Sequence, residues 1–300
     1  MAIKQVRAQV NGQWYTLTLQ ANGKYEASIT APGATSFNQP GGYYNVTVEA
    51  TNTAGSVGTA NAGTLEGLKL YVKEKVPPVI TILSPSGGAY VTNNKQPVVF
   101  TITDEAGGSG VKLDSVVVKL DGAPVSAVEV THSAISNGYS FTYTPASPLG
   151  DGSRTVTVDA TDNDGNAAAQ KSTTFTVDTI PPTLNVTSPT EGLITSTAAL
   201  TVSGTTNDAT SSPVTVKISL NGADQGAVTV GGDGAFSKSI TLAEGENVII
   251  VTATDAAGKS SSVTRNVTLD SSVPQIVSAT ITPNPVDAGQ TMLISVEVSG

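Results

Sequence analysis

One ribbon of sequence occurs three times in this chain and restricts what it can fold into. Arg154-Thr-Val-Thr-Val-Asp-Ala-Thr-Asp-Asn-Asp-Gly-Asn-Ala-Ala-Ala-Gln-Lys-Ser172 alternates Val and Thr, turns at Asp162 to Asn166, and alternates again. The same pattern appears as Val46-Thr-Val-Glu-Ala-Thr-Asn-Thr-Ala-Gly55 and as Ile250-Val-Thr-Ala-Thr-Asp-Ala-Ala-Gly258. Strict alternation gives a strand with one buried face. A short hairpin loop needs a residue at positive φ, which glycine adopts without steric cost. Three copies of one hairpin predict three copies of one domain.

The 300 residues then divide into domains of roughly 90 to 100, enough for one sandwich core each. With aromatics at 5%, those cores must be built from Val, Ile, Leu and Thr. Charged residues are 13% and the net charge is −9, which argues against nucleic acid and against acidic membrane surfaces, since both require a cationic face. The absence of cysteine excludes disulfides, thiolate metal sites and a Cys nucleophile, and leaves the compartment open. Met1 to Val10 reads as an alternating strand rather than a signal peptide, and no membrane-spanning segment or insertion is expected. Two readings of the start stay open: a chain whose leader has been removed, or a protein released by assembly or lysis.

In residues 4 to 75, strands are expected near Gln5 to Val10, Trp14 to Gln20, Tyr25 to Thr30, Tyr43 to Ala50 and Leu68 to Glu74. Val76-Pro-Pro78, Ile180-Pro-Pro182 and Val273-Pro274 punctuate the rest, because proline holds the chain extended and cannot join a central ladder. The expected domains are therefore 1–75, 76–178 and 179–270, with a remainder at 271–300. Short, stiff junctions predict a rod of tandem sandwiches.

Alignment of the copies adds a further expectation. The complete ones open on Pro78-Val-Ile-Thr-Ile-Leu-Ser-Pro85 and Pro182-Thr-Leu-Asn-Val-Thr-Ser-Pro189, and their third strands end in Asp121-Gly122 and Asn221-Gly222. The counterpart in the first copy is Asn11-Gly12, almost at the start. The interval from Gly12 to Gly55 equals that from Gly122 to Gly165, whereas Gly222 to Gly258 is shorter. The first copy thus lacks two opening strands, and residues 271–300 supply a two-stranded remainder. A two-stranded element cannot bury its apolar face alone. The six or so linking residues reach about 20 Å, too short to close the circle within one molecule. One reading is donation of Ile276, Ala279, Ile281, Met292, Ile294, Val296 and Val298 to the first domain of another copy, at Val6 and Val10, giving head-to-tail self-assembly. The other is a fragment of a longer array, or a self-sufficient first domain with the tail docked on the third.

The junctions Val177-Asp-Thr-Ile-Pro-Pro182 and Leu269-Asp-Ser-Ser-Val-Pro274, with the hairpin at 251 to 260, resemble the bacterial immunoglobulin-like repeat families. The resemblance covers the second and third domains fully and the ends in part. It implies an all-β chain of tandem immunoglobulin-like Greek-key β-sandwiches, found in cell-surface adhesins and in tailed phages. The start without a leader resembles the phage-encoded members. The implied role is a structural or adhesive part of a virion or extracellular surface. Its partners would be the protein itself, other virion or surface proteins, or cell-surface glycans.

Reactive chemistry is sparse. A Ser-His-Asp arrangement would need His132, the one histidine, whose place before Asn137-Gly138 fits a solvated edge position better. No enzyme activity and no cofactor are expected. Asp159, Asp162 and Asp164, with Asn163, crowd oxygens into one hairpin, and Asp104, Glu105 and Asp178 lie near domain ends. Calcium needs six or more oxygens, and such a loop is ordinary turn composition, so no metal is expected there. Trp14, Tyr15 and Tyr25 make the first domain the aromatic-rich one and are the glycan-stacking candidates; alternation puts Trp14 and Tyr15 on opposite faces.

Overall fold

The computed structural model describes residues 2–300; Met1, the first residue of the stretch expected to form a strand, lies outside them. Among the described residues the regular structure is β-strand with short 3-10 turns. The chain divides into two compact units, one ending at Val177 and one starting at Asp178.

The first unit begins with strands β1 (Ile3–Val10), β2 (Gln13–Leu19), β3 (Tyr25–Glu26), β4 (Tyr44–Asn45), β5 (Thr47–Asn52), β6 (Val57–Ala60) and β7 (Lys69–Leu70). One sheet has the order β3-β2-β1-β5-β6, and a second contains only β4 and β7. Alternation along β1 buries Val6, Ala8 and Val10. Two expected strands are shorter than the sequence suggested, at 25 to 30 and at 68 to 74. Beyond Glu26 the chain meets Pro32, which has no N–H to give a ladder, and Gly33, which weakens one, and Leu70 is followed by an extended segment leading to Pro77 and Pro78.

The same unit continues with β8 (Val79–Ser84), β9 (Tyr90–Val91), β10 (Val98–Thr103), β11 (Val117–Leu120), β12 (Ala123–Pro124), β13 (Val130–Ile135), β14 (Gly138–Tyr143), β15 (Gly152–Asp159) and β16 (Lys171–Val177). Sheets β13-β14-β10-β8 and β12-β11-β15-β16-β9 enclose a core that includes Val98, Phe100, Ile102, Val156, Val158, Phe175 and Val177, each no more than 1% exposed. The Phe100 and Phe141 rings stack at 5.1 Å. The chain crosses between the two sheets, then returns, along the path of an immunoglobulin-like sandwich.

The second unit repeats this with β17 (Thr183–Ser188), β18 (Leu193–Thr195), β19 (Ala199–Asn207), β20 (Thr215–Leu220), β21 (Ala223–Asp224), β22 (Ala235–Thr241), β23 (Gly245–Thr254) and β24 (Ser260–Leu269). Its sheets are β17-β19-β22 and β18-β24-β23-β20-β21 around Val202, Ile218, Ile249 and Val251. No strand here corresponds to β13, which explains why the Gly222 to Gly258 interval is short. Gly55, Gly165 and Gly258 all have positive φ, as the hairpin pattern requires. The chain is thus built of tandem immunoglobulin-like β-sandwiches.

A last pair of strands, β25 (Gln275–Thr282) and β26 (Leu293–Ser299), forms a two-stranded sheet. Its register sets Ile276 opposite Val298, Ala279 opposite Val296, and Ile281 opposite Ile294. Every residue of both strands is exposed.

Candidate functional site

The hairpin that follows β15 organises the most polar region of the first unit. Asp162, fully buried, accepts the backbone N–H groups of Gly165 at 2.7 Å and Asn166 at 2.8 Å, which closes the turn. The Asn166 amide also donates to Asp162 Oδ2 at 2.7 Å and to Glu74 Oε2 at 3.1 Å. Burial disfavours ionisation of Asp162, but these donors outweigh it and hold its carboxyl below the usual range. Glu74 moves the other way, raised first by burial and then by the nearby Asp162.

Glu74 lies in the extended segment before Pro77 and Pro78 and is held to the next sandwich from several directions. Its Oε1 accepts the Ser109 hydroxyl at 3.0 Å, and its backbone N–H donates to Asp164 Oδ2 at 3.0 Å. One oxygen each from Glu74, Asp104 and Glu105 comes within 4.8 Å of the other two. Asp104 follows β10 directly and is 7% exposed; its Oδ2 accepts Gly110 N–H at 2.6 Å, while Oδ1 accepts no hydrogen bond. Glu105 Oε2 is likewise buried and without a partner, and burial followed by the proximity of Asp104 raises its pKa. Asp104 and Glu105 line a cleft of 410 Å³ with Ser109, Asn137 and Asn163.

A second cluster stands at the matching place in the other unit. One oxygen each from Asp178, Asp208 and Asp255 lies within 4.8 Å of the other two. Asp178, fully buried, accepts the Ser211 hydroxyl and the Ile180 N–H. Asp208, directly after β19, accepts the N–H groups of Thr210 and Ser211, both at 2.7 Å. Asp255 is 6% exposed; Oδ1 accepts Lys259 N–H at 2.8 Å, and the buried Oδ2 accepts none. Among the described residues, no lysine or arginine forms an ion pair with any of these six acids. Two carboxylates about 5 Å apart repel by roughly 3 kcal/mol at an effective dielectric near 20, so each cluster concentrates unbalanced negative charge. All the ligand atoms on offer are hard oxygens.

The residues singled out in the sequence are distributed differently. Asp159, Asp162 and Asp164 do not converge: Asp159 bonds Gln170 and lies 3.9 Å from Lys119, Asp162 caps its own turn, and Asp164 accepts the Thr35 hydroxyl at 2.6 Å. Asp159 ends β15 while Asp162 and Asp164 lie in the turn, and each is taken up by its own partners, so crowding in sequence did not become crowding in space. Glu74, Asp208 and Asp255 were missed as ligand candidates. Their signal is a spacing: Glu74 and Asp178 each stand four residues before the second proline of a Pro-Pro pair, and Asp104 lies as far after Pro78 as Asp208 after Pro182.

His132 lies exposed on β13, an edge strand, with its ring against Tyr139 and Phe141. Trp14 pairs with Gln9 on the outer face of β2, 36% exposed, with the Arg7 guanidinium 4.2 Å from its ring centre. Arg7 in turn donates to Glu49 at 2.6 Å. Tyr15 pairs with buried Ala8 on the opposite face and is half-buried, as alternation requires; Tyr25 is half-buried opposite Leu19. Val6 and Val10 are buried within the single chain, whereas Ile276, Ala279, Ile281, Met292, Ile294, Val296 and Val298 are all exposed.

Residues 84–179 match the family model of a bacterial Ig-like domain, and residues 182–271 match that of glucodextranase, domain B. Among curated proteins none matches the chain. Similar solved structures include the fibronectin(III)-like modules of Clostridium thermocellum CbhA, 18% identical over 64% of this chain and 94% of that one, with a TM-score of 0.39. Titin domains A168–A170 are 14% identical over 87% and 86%, with a TM-score of 0.41. A 1.5-MDa bacterial ice-binding adhesin is 21% identical over 89% and 86%, with a TM-score of 0.33. Immunoglobulin-like domain families are generally non-enzymatic, and tandem domains of this kind suit a structural or adhesive role.

Proposed function

We propose that this protein is a non-enzymatic structural or adhesive component of a virion or cell surface, and that its terminal hairpin completes the first sandwich of another copy. The observation that carries this reading is the amphipathic register of β25 and β26. Ile276, Ala279, Ile281, Ile294, Val296 and Val298 share one face by pairing, and Ser278, Thr280, Ser295 and Glu297 share the other. In β8 and β10, which open the next sandwich in the same way, the corresponding face is the core: Ile80, Phe100 and Ile102 are at most 2% exposed. An apolar hairpin face without cover is unfavourable in water, at about 25 cal/mol per Å² of apolar surface. The first module is the natural acceptor, because its second sheet contains only β4 and β7 and it leaves Leu19, Val57, Leu65 and Tyr71 exposed. Strand donation supplies both backbone pairing and apolar cover.

Light scattering of the intact chain and of a variant lacking residues 273–300 tests this. Concentration-dependent oligomers that disappear on deletion are expected; a monomer in both cases overturns the reading. Ile281→Asp combined with Ile294→Asp should act like the deletion.

A glycan-binding role for the first module is the second reading, favoured by the exposure of Trp14 on an outer sheet face. Arg7 already covers one side of that ring, so a sugar would stack on the other. A glycan array with Trp14→Ala and Tyr15→Ala as controls decides it: binding lost only in the Trp14 variant supports the role, and no binding by the intact chain dismisses it.

A further inference from the structure

We infer that the two acidic clusters, Glu74-Asp104-Glu105 and Asp178-Asp208-Asp255, are calcium sites, each tying the extended segment before a sandwich to the strand-end loops of that sandwich. Three separate observations lead there. First, each cluster brings three carboxylates together with no basic partner among the described residues. Second, each contains a carboxylate that is more than nine-tenths buried and keeps one oxygen without a hydrogen-bond donor, Asp104 Oδ1 in one and Asp255 Oδ2 in the other. Buried polar atoms are almost always partnered, so an unpartnered oxygen in both clusters points to a ligand. Third, the arrangement recurs. Asp104 and Asp208 each follow the strand that pairs with the Pro-flanked opening strand, β10 with β8 and β19 with β17, and Glu74 and Asp178 hold the same place before Pro-Pro.

The third member differs between the two. In the second unit the hairpin acid Asp255 enters the cluster itself. In the first unit its counterpart Asp162 is engaged by Asn166, which bridges it to Glu74, and Glu105 takes the third place. Gly108 packs so close to the first cluster that a Cβ there would lie 2.7 Å from Asp104 Oδ2 and 2.8 Å from the Glu105 carboxyl carbon. The donor chemistry selects the ion. Oxygen ligands without histidine or cysteine disfavour zinc and copper. Several carboxylates drawn from separate segments suit the large, adaptable coordination shell of calcium, whereas magnesium demands near-octahedral geometry and keeps its water. The gain would be mechanical: in the first unit, an ion holding Glu74 to Asp104 and Glu105 fixes the segment around residues 72 to 78 against the sandwich that follows.

The test is calorimetric titration of the chelator-treated intact chain with calcium chloride, alongside thermal melting with and without the ion. Uptake of two ions per chain is expected, with a rise in melting temperature that EGTA reverses. Asp104→Asn and Asp255→Asn should each remove one of the two ions, because asparagine keeps an oxygen for the local N–H bond but loses the charge. Asp114→Asn, at a turn outside both clusters, should keep both. A flat isotherm for the unaltered chain overturns the inference whatever the variants do. So does uptake that persists unchanged in both cluster variants. An equal response to magnesium overturns the assignment to calcium.

Discussion

Thr35 donates its hydroxyl to Asp164 at 2.6 Å, joining the irregular segment of the first module to the hairpin loop of the next. Asp164 also accepts the Glu74 N–H at 3.0 Å, and Lys73 reaches the Asp164 carbonyl at 3.2 Å, so one loop residue gathers the connecting segment. Thr35 itself is 1% exposed. Asp164→Ala removes a charged acceptor and should destabilise the first unit by about 1–2 kcal/mol, given partial exposure. Urea unfolding measures the loss, and limited proteolysis should show faster cleavage near residues 72 to 78. Unchanged unfolding and cleavage would mean that this joint is held by other contacts.

Gly138 opens β14 opposite Thr103, where a Cβ would overlap the Ile102 carbonyl oxygen and come within 2.8 Å of Thr103 Cα. Backbone cannot yield as a flexible side chain can. Gly138→Ala should therefore cost about 1–3 kcal/mol by overpacking. Gly204 meets the Asn185 carbonyl and the Phe236 ring in the same way, and Gly204→Ala should behave alike in the second unit. The urea midpoints of the two variants check both; a shift no larger than that of an exposed control glycine such as Gly87 would refute the steric account.

Phe100, fully buried, stacks on Phe141 with the rings 6° from parallel. Truncating it leaves a cavity that a rigid two-sheet core cannot close. Phe100→Ala should lower stability by about 3–5 kcal/mol, and Phe100→Leu by clearly less. Calorimetric melting of both variants reads this out, and equal losses would show that filled volume contributes nothing there and that the aromatic ring carries the whole effect.

Glu191 accepts the Asn266 amide at 2.7 Å and its backbone N–H at 3.1 Å, and these bonds hold its carboxyl below the usual range. A folded-state pKa below the unfolded one contributes stability above the unfolded value, and that contribution is lost as pH falls through the folded value. The melting-temperature difference between the unaltered chain and Glu191→Gln should thus be present at neutral pH and close on acidification through that range. A difference that stays constant with pH would rule the linkage out.

Much of this molecule was legible one residue at a time. Period-two alternation in Val98-Val-Phe-Thr-Ile-Thr103 states which face is buried, because successive strand side chains point to opposite sides. Glycine at Gly165 and Gly258 states where the ribbon turns. The opposing placement of Trp14 and Tyr15 follows from the same rule. These are local properties, set by sterics within a few residues.

What pairs with what was settled only in three dimensions. The sequence directed attention to Asp159, Asp162 and Asp164 because they are neighbours along the chain, yet the folded hairpin gives them three different sets of partners. Glu74, Asp104 and Glu105 meet because a proline-stiffened segment passes the end of β10, and Asp178, Asp208 and Asp255 meet because the segment before Pro182 passes the ends of β19 and β23. Alternation and turn chemistry act over one or two residues and are written in the residues themselves. Convergence of charge depends on which strand ends the packed sheets bring together, and no single segment of the chain contains that information.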